Sequence, residues 1–425
     1  MQITFFGLIW IVLLLFTFFK DNYNYIVFFM LLSTVFQSNS VIVIGGNNGV
    51  GPFIITSIVF IITIILKRKN IRYVRYNKII ISLILLLITI IASIVINDKN
   101  FSAEKIMYFV QLVLYIVSFI LMYNIRSVLD KRFIKKGIMG IILFVMCFGI
   151  VQLLIISGII PKMKIISQLF YNETWNESIA YYSSTKFRLY STFMEPSYCG
   201  AFLVGGFFYI VCEKFKYKEQ KIFLLLFCGI EIGLTQSTTA YVSIIILTMI
   251  FMIDKRNKKY IKYIIPIGIL VCIVMLFSGE VLNRVLFKKL ESGSAAERGL
   301  WNTKALNSFY NSIFIGIGYK NLRASSIIYS LLGEIGLIGL SIYFYTMIIN
   351  IKSIFKRTFK YEVLGGSFFL LSVVIAQCIS CPDLEFSVLW FAMYLTIIDT
   401  ISVKDVININ NYKLRYLNEN KINLK

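Results

Sequence analysis

Two short segments hold most of the residues in this chain that are equipped for chemistry. The first, "FRLYSTFMEPSYCGAFL" over 187–203, places Arg188, Tyr190, Ser191, Thr192, Glu195 and Ser197 directly ahead of an apolar run. The second, "SAAERGLWNTKALNSFY" over 294–310, carries Arg298 and Lys304, and "GIGYKN" over 316–321 adds Lys320, with Arg323 just beyond. A guanidinium grips phosphate through two parallel hydrogen bonds. A carboxylate beside a bound electrophile can take the proton of an attacking hydroxyl. Pro196 suits the first turn of a helix, where its missing N–H costs nothing. That start leaves free N–H groups and a positive dipole end, an anion-binding arrangement. Glu195 reads either as an acid that offsets the helix dipole or as a general base. Arg298 reads either as a diphosphate ligand or as an anchor to lipid headgroups. Tyr190, Ser191, Thr192 and Ser197 are candidate further donors.

Other chemistries find little support in the residues. The chain contains no histidine, and Cys378 and Cys381 form a CxxC with no partner pair, which argues against zinc. No D-x-D occurs, so a metal-held nucleotide sugar is not expected. Four acids remain in or near apolar segments. Glu231 and Glu334 fall within them, where ionisable groups are functional candidates by default, although Glu334 reads more readily as structural. Asp383 and Glu385 sit at a turn, as part of a site or as helix caps.

The elements that must position these residues are apolar to an unusual degree. The chain has 425 residues, 58% hydrophobic and 15% charged, with a mean hydropathy of +0.79. Runs such as 3–19, 79–96 and 106–123 approach or reach the ~17–25 residues needed to cross a bilayer. They do not alternate as barrel strands would, and backbone in lipid must be bonded internally. The sequence therefore predicts one all-α polytopic membrane domain over 1–425, with about 12 or 13 transmembrane helices. Polar "QSNS" and "GGNNGVGP" interrupt the pattern over 22–52 and leave the N-terminal orientation open. The first run lacks a basic n-region and a cleavage site, and reads as a retained helix.

The net charge is +22, but the cations are spread over short inter-helix segments, as the positive-inside rule expects, rather than pooled for nucleic acid. Basic segments at 67–78, 125–136, 213–221, 254–262 and 351–360, with the tail 402–425, are placed in the cytoplasm. The alternate connections then face outward, two of them long: 161–196 and 279–325. Loops of that length usually have a job, and the basicity of the second asks for an anionic partner. Within it, Trp301, Ala305 and Phe309 make an i, i+4, i+8 stripe expected to lie on the membrane interface, and "GIGYKN" is expected to turn tightly. The outer face lacks ATP, so an enzyme there needs an activated substrate delivered in the bilayer. A polyprenyl-diphosphate-linked sugar meets that demand.

The first segment resembles the R…F-x-E/N-P-(S/N) motif of bacterial O-antigen and capsule polymerases. "ERGLWNTKALNSFYNSIFIGIGYKN…LLGEIGLIGL" resembles the second outer-loop motif of the same polymerase and ligase superfamily, and the likeness covers roughly 180–340. The resemblance implies a GT-C-like glycosyltransferase fold with two long periplasmic loops in the bacterial inner membrane, working without a cofactor or metal. It implies undecaprenyl-diphosphate-linked oligosaccharides as donor and acceptor, with a chain-length regulator and a flippase as partner proteins. Arg188, Arg298 and Glu195 would be catalytic, the arginines on the diphosphate. Tyr190, Ser197, Lys304, Lys320 and Arg323 would contact substrate. Related ligases commonly carry a histidine in the second loop; its lack favours a polymerase over a ligase. A flippase for the same lipid would show internal repeats and broken helices, and with five prolines and no visible repeat it is the weakest of the three.

Overall fold

The apolar runs fold as helices in the computed structural model, which describes residues 2–20, 22–44, 49–67, 77–97, 102–159, 188–253, 268, 293–351 and 365–399. Among these residues the chain order is α1 (Phe5–Phe19), α2 (Tyr23–Ser33), α3 (Pro52–Leu66), α4 (Lys78–Asn97), α5 (Ala103–Ile125), α6 (Lys131–Ile156), α7 (Pro196–Cys212), α8 (Lys218–Leu234), α9 (Thr238–Ile253), α10 (Gly293–Asn311), α11 (Ile327–Ile351), α12 (Gly365–Ile379) and α13 (Ser387–Asp399). Four helices are long and apolar enough to cross a membrane: Lys78–Asn97, Ala103–Val128, Lys131–Ile155 and Ile327–Ile351. Seven more are apolar but only 10–17 residues long. Most of the first long loop (161–187), the start of the second (279–292) and the tail 402–425 lie outside the described residues, as do most of the basic segments at 67–78, 254–262 and 351–360.

One departure from an all-helical reading lies where polar residues break the pattern early in the chain. Gln2–Ile3, Ile42–Val43 and Gly49–Val50 pair as a small antiparallel sheet in the order β1-β2-β3. The Thr4 hydroxyl caps α1 by accepting from the Gly7 N–H and donates to the Ser40 carbonyl at 2.6 Å. The capped start of α1 therefore sits beside the 38–43 segment.

Contacts between helix ends sort the bundle into two poles. At one, Tyr23 donates to the Lys67 carbonyl, Lys67 reaches the Lys20 carbonyl, Asn24 accepts the Asp130 N–H, and Lys135 pairs with Glu213. Lys78, Arg126 and Lys218 occupy helix ends of the same pole. At the other, Asn97 holds the Gly316 carbonyl, Ser38 holds the 192–193 backbone, and Lys105 reaches Asn321. Both candidate segments lie at this second pole, and so does the start of α1.

The core is built around α7, which packs against α12, α8 and α9 and is buried almost throughout. Phe202 touches the rings of Phe193, Phe369 and Phe391, and Phe208 those of Phe251 and Phe368. α13 is buried on every face, as a helix apolar all round must be. The outer helices do the reverse: Val12, Phe16, Ile88, Val95 and Ile348 are exposed. Apolar surface on this scale is costly in water and is compatible with a membrane protein.

Candidate functional site

Residues 188–195 make a tight turn that is itself largely buried. Ser191 takes a left-handed backbone at φ 49°, and its hydroxyl donates to the Val145 carbonyl of α6. The Gln152 side-chain oxygen accepts the N–H groups of Tyr190 and Ser191 at 3.0 and 2.7 Å. From the other side, Ser38 binds the carbonyls of Thr192 and Phe193. The Arg188 guanidinium donates to the main-chain carbonyls of Thr235 and Gln236 at 3.2 and 3.0 Å. A turn at 235–237 joins α8 to α9, and Arg188 fastens the first motif to it.

α7 begins at Pro196 as expected, with Glu195 at the N-cap in an extended conformation. The Glu195 carboxylate makes no capping hydrogen bond. Instead the Ser197 hydroxyl donates to its Oε2 at 3.0 Å. That geometry disfavours a pure cap and leaves a half-buried carboxylate held by one hydroxyl.

The second motif is mounted on a broken helix. Within α11, Gly336 departs from helical geometry at φ 69°, ψ −170°. The 313–318 segment engages four backbone groups at the break: Ile317 and Gly318 donate to the carbonyls of Gly333 and Glu334, while Leu337 and Ile338 donate to those of Ile313 and Phe314. The Ser93 hydroxyl of α4 adds a bond to the Glu334 carbonyl at 2.6 Å. Such satisfaction is obligatory for buried backbone. It needs glycine on both sides: a Cβ on Gly316 would lie 2.3 Å from the Glu334 backbone, and one on Gly336 2.3 Å from that of Phe314. "GIGYKN" does turn tightly, with Gly316, Gly318 and Lys320 at positive φ.

α10 spans the amphipathic segment as expected; of its stripe, Ala305 faces α11 while Trp301 and Phe309 are half-exposed. Ala305 is buried and packs where Gly333 of α11 lacks a side chain. Asn302 accepts from the N–H and hydroxyl of Ser325, and the Arg323 guanidinium stacks on Trp301 at 4.1 Å, a cation–π contact.

The point where these parts meet is the 380–386 turn between α12 and α13. Thr239, beside the turn that Arg188 grips, hydrogen-bonds Ser380 at 2.7 Å. Burial pushes the Cys381 thiol up from its ordinary range; a Ser380 hydrogen bond and Arg298 act downward on it, Glu195 and Asp383 upward. Lys320 pairs with Asp383 at 2.6 Å and Glu385 at 3.1 Å, and Tyr319 donates to Glu385. Burial alone would lower the Lys320 ammonium, but Glu385, Asp383 and Glu334 outweigh it and hold the charge well above the lysine range. The Tyr198 ring lies against Phe386 at 4.7 Å, and its hydroxyl feels Glu195, Asp383, Cys381 and Arg323.

The structure thus brings the first turn of α7, with Glu195 and Ser197, and the Lys320 turn of the second motif to the same 380–386 segment, and leaves Arg298 and Arg323 exposed. Lys304 is exposed on α10. Four sequence assignments change. The Arg188 guanidinium is committed to the Thr235 and Gln236 carbonyls rather than standing clear for a diphosphate. Tyr190 is 4% exposed and belongs to the core, because its backbone is drawn inward by Gln152. The Ser191 hydroxyl is spent on a main-chain carbonyl. Lys320 is committed to two carboxylates rather than standing clear for a diphosphate. Asp383 and Glu385 join the neighbourhood instead of capping a helix. Glu334 is structural in its backbone role, and its carboxyl is hydrogen-bonded by the Lys320 main chain. Sequence reasoning missed Gln152, whose signal was a lone amide in an apolar run. The chain matches no protein-family model and no curated protein.

Proposed function

We propose that this protein is a lipid-dependent glycosyltransferase that polymerises O-antigen or capsular repeat units at the periplasmic face of a bacterial inner membrane, on a GT-C-like helical scaffold and without a metal. The observation that carries the reading is that both motifs reach the 380–386 turn: Tyr198, on the first turn of α7, lies against Phe386 at 4.7 Å, and Lys320 of the second motif pairs with Asp383 and Glu385. A carboxylate at the start of α7 and exposed guanidinium groups on the second motif suit a reaction that releases an anion and a proton. The cationic pole of the bundle, with Lys20, Lys67, Lys78 and Arg126, supports placing that end in the cytoplasm and the site outside.

In this mechanism the donor's diphosphate lies against Arg298 and Arg323 near the N-terminus of α7. A terminal sugar hydroxyl of the acceptor unit attacks the anomeric carbon of the donor. Its oxygen forms the new glycosidic bond, the carbon–oxygen bond to the diphosphate breaks, and the proton passes to Glu195. The guanidinium groups stabilise the charge that develops on the departing undecaprenyl diphosphate. Arg188 contributes by fixing the motif turn through the 235–236 carbonyls, and Lys304 offers a contact for lipid phosphate.

Glycan banding in cells tests the reading. Arg188→Ala and Arg298→Ala are expected to leave single repeat units on the acceptor, as loss of the gene would. Long chains stranded on the lipid carrier would mark a ligase, and absence of exported glycan a flippase. A normal ladder from both variants would overturn the site.

A further inference from the structure

Lys320 is the one cation of the second motif buried among acids, and its surroundings describe a joint. Its side chain is 16% exposed, that of Glu385 6% and that of Asp383 44%. Its ammonium also lies 5.0 Å from the Tyr108 ring of α5, and the adjoining Asn321 binds Lys105. The backbone at Lys320 is left-handed, φ 59°, an arrangement that aims a long side chain back across the turn. On one side of the joint is the 313–325 segment, locked to α10 through Asn302 and to α11 through the Gly336 break. On the other is the 380–386 turn, whose Phe386 lies against Tyr198 on the first turn of α7, the helix that Glu195 begins.

We propose that the Lys320 ion pairs with Asp383 and Glu385 set the register between α10 and the α12–α13 turn, making Lys320 a positioning residue that presents Arg298 to Glu195. The proposal rests on the glycosyl-transfer reading above. A displacement of about 1 Å at a reacting centre can cost ~10²-fold in rate, so the joint is felt in turnover while Lys320 itself touches no substrate.

Three variants of the full-length protein in detergent or nanodiscs test this: Lys320→Asn, which tolerates positive φ and removes the charge; Asp383→Asn, at the more exposed partner; and the exchange Lys320→Asp with Asp383→Lys. The probe is polymerisation of an undecaprenyl-diphosphate-linked oligosaccharide, read as kcat and KM, alongside hydrogen exchange over 318–325. Each single variant is expected to lower kcat ~10-fold or more with KM within ~3-fold, to speed exchange over 318–325, and to recover toward wild type in the exchange variant. A KM rise alone, with kcat and hydrogen exchange unchanged, would make Lys320 a diphosphate ligand and overturn the proposal. So would wild-type kcat in Asp383→Asn, the variant that decides the matter if Lys320→Asn does not fold. Should Arg298→Ala and Glu195→Gln both keep full activity in the same assay, the glycosyl-transfer site fails, while the hydrogen-exchange result still reports on the joint.

Discussion

At the residue scale, Glu195 and Arg188 have different duties, and substitution separates them. Glu195→Gln keeps the size and the Ser197 contact but cannot accept a proton, so polymerisation is expected to fall ~10²–10⁴-fold with the protein still folded. Ser197→Ala removes the single hydroxyl on that carboxylate and is expected to give a smaller loss, read in the same assay. Arg188 holds two carbonyls, and hydrogen bonds from a charged donor are worth about 1.5–3 kcal/mol. Arg188→Ala is thus expected to lower thermal stability as well as activity. An unchanged melting temperature would show that the guanidinium does not tie the turn.

At the element scale, the break in α11 depends on a missing atom at two places. Gly336→Ala and Gly316→Ala each force a side chain into left-handed backbone and against a carbonyl group, and residues in such regions cost about 1–3 kcal/mol before any clash. Both are expected to destabilise the protein in detergent melts. Gly140→Ala in α6 is the control: a Cβ there meets nothing within 4 Å, and alanine favours helix by about 1 kcal/mol over glycine. Equal melting temperatures for Gly336→Ala and wild type would contradict the interlock. Sequence reading anticipated the turn at 316–321 and the helix over 294–310 because glycine pairs and amphipathic spacing are local signals. The interlock with 333–338 was beyond its reach, since nothing local says which backbone groups a broken helix will share with a distant strand of chain.

At the scale of the whole molecule, the two poles predict topology. Single cysteines at Lys216 and Asn311, in a variant otherwise free of exposed thiols, are expected to differ in labelling by an impermeant maleimide on intact spheroplasts: Asn311→Cys reacts and Lys216→Cys does not. The opposite pattern would invert the bundle and put the site on the cytoplasmic side. Burial also separates the helices in a way composition could not. α4 and α13 are both strongly apolar, yet α4 exposes Ile88 and Val95 while α13 exposes nothing.

The sequence by itself determined that the chain is built of apolar helices, that cations gather in short connecting segments, and that Arg188, Glu195 and Arg298 belong to polar motifs at helix starts. Those are properties of neighbours along the chain, set by hydropathy, spacing and proline. Only the tertiary structure decided that Tyr190 and Ser191 turn inward, that Lys320 is bound to Asp383 and Glu385, and that Tyr198 of α7 lies against Phe386 of the same turn. The reason is physical: a polar side chain in an apolar bundle goes wherever the packing supplies a partner, and partners such as Gln152 or the 380–386 turn are distant in sequence and visible only once the helices are assembled.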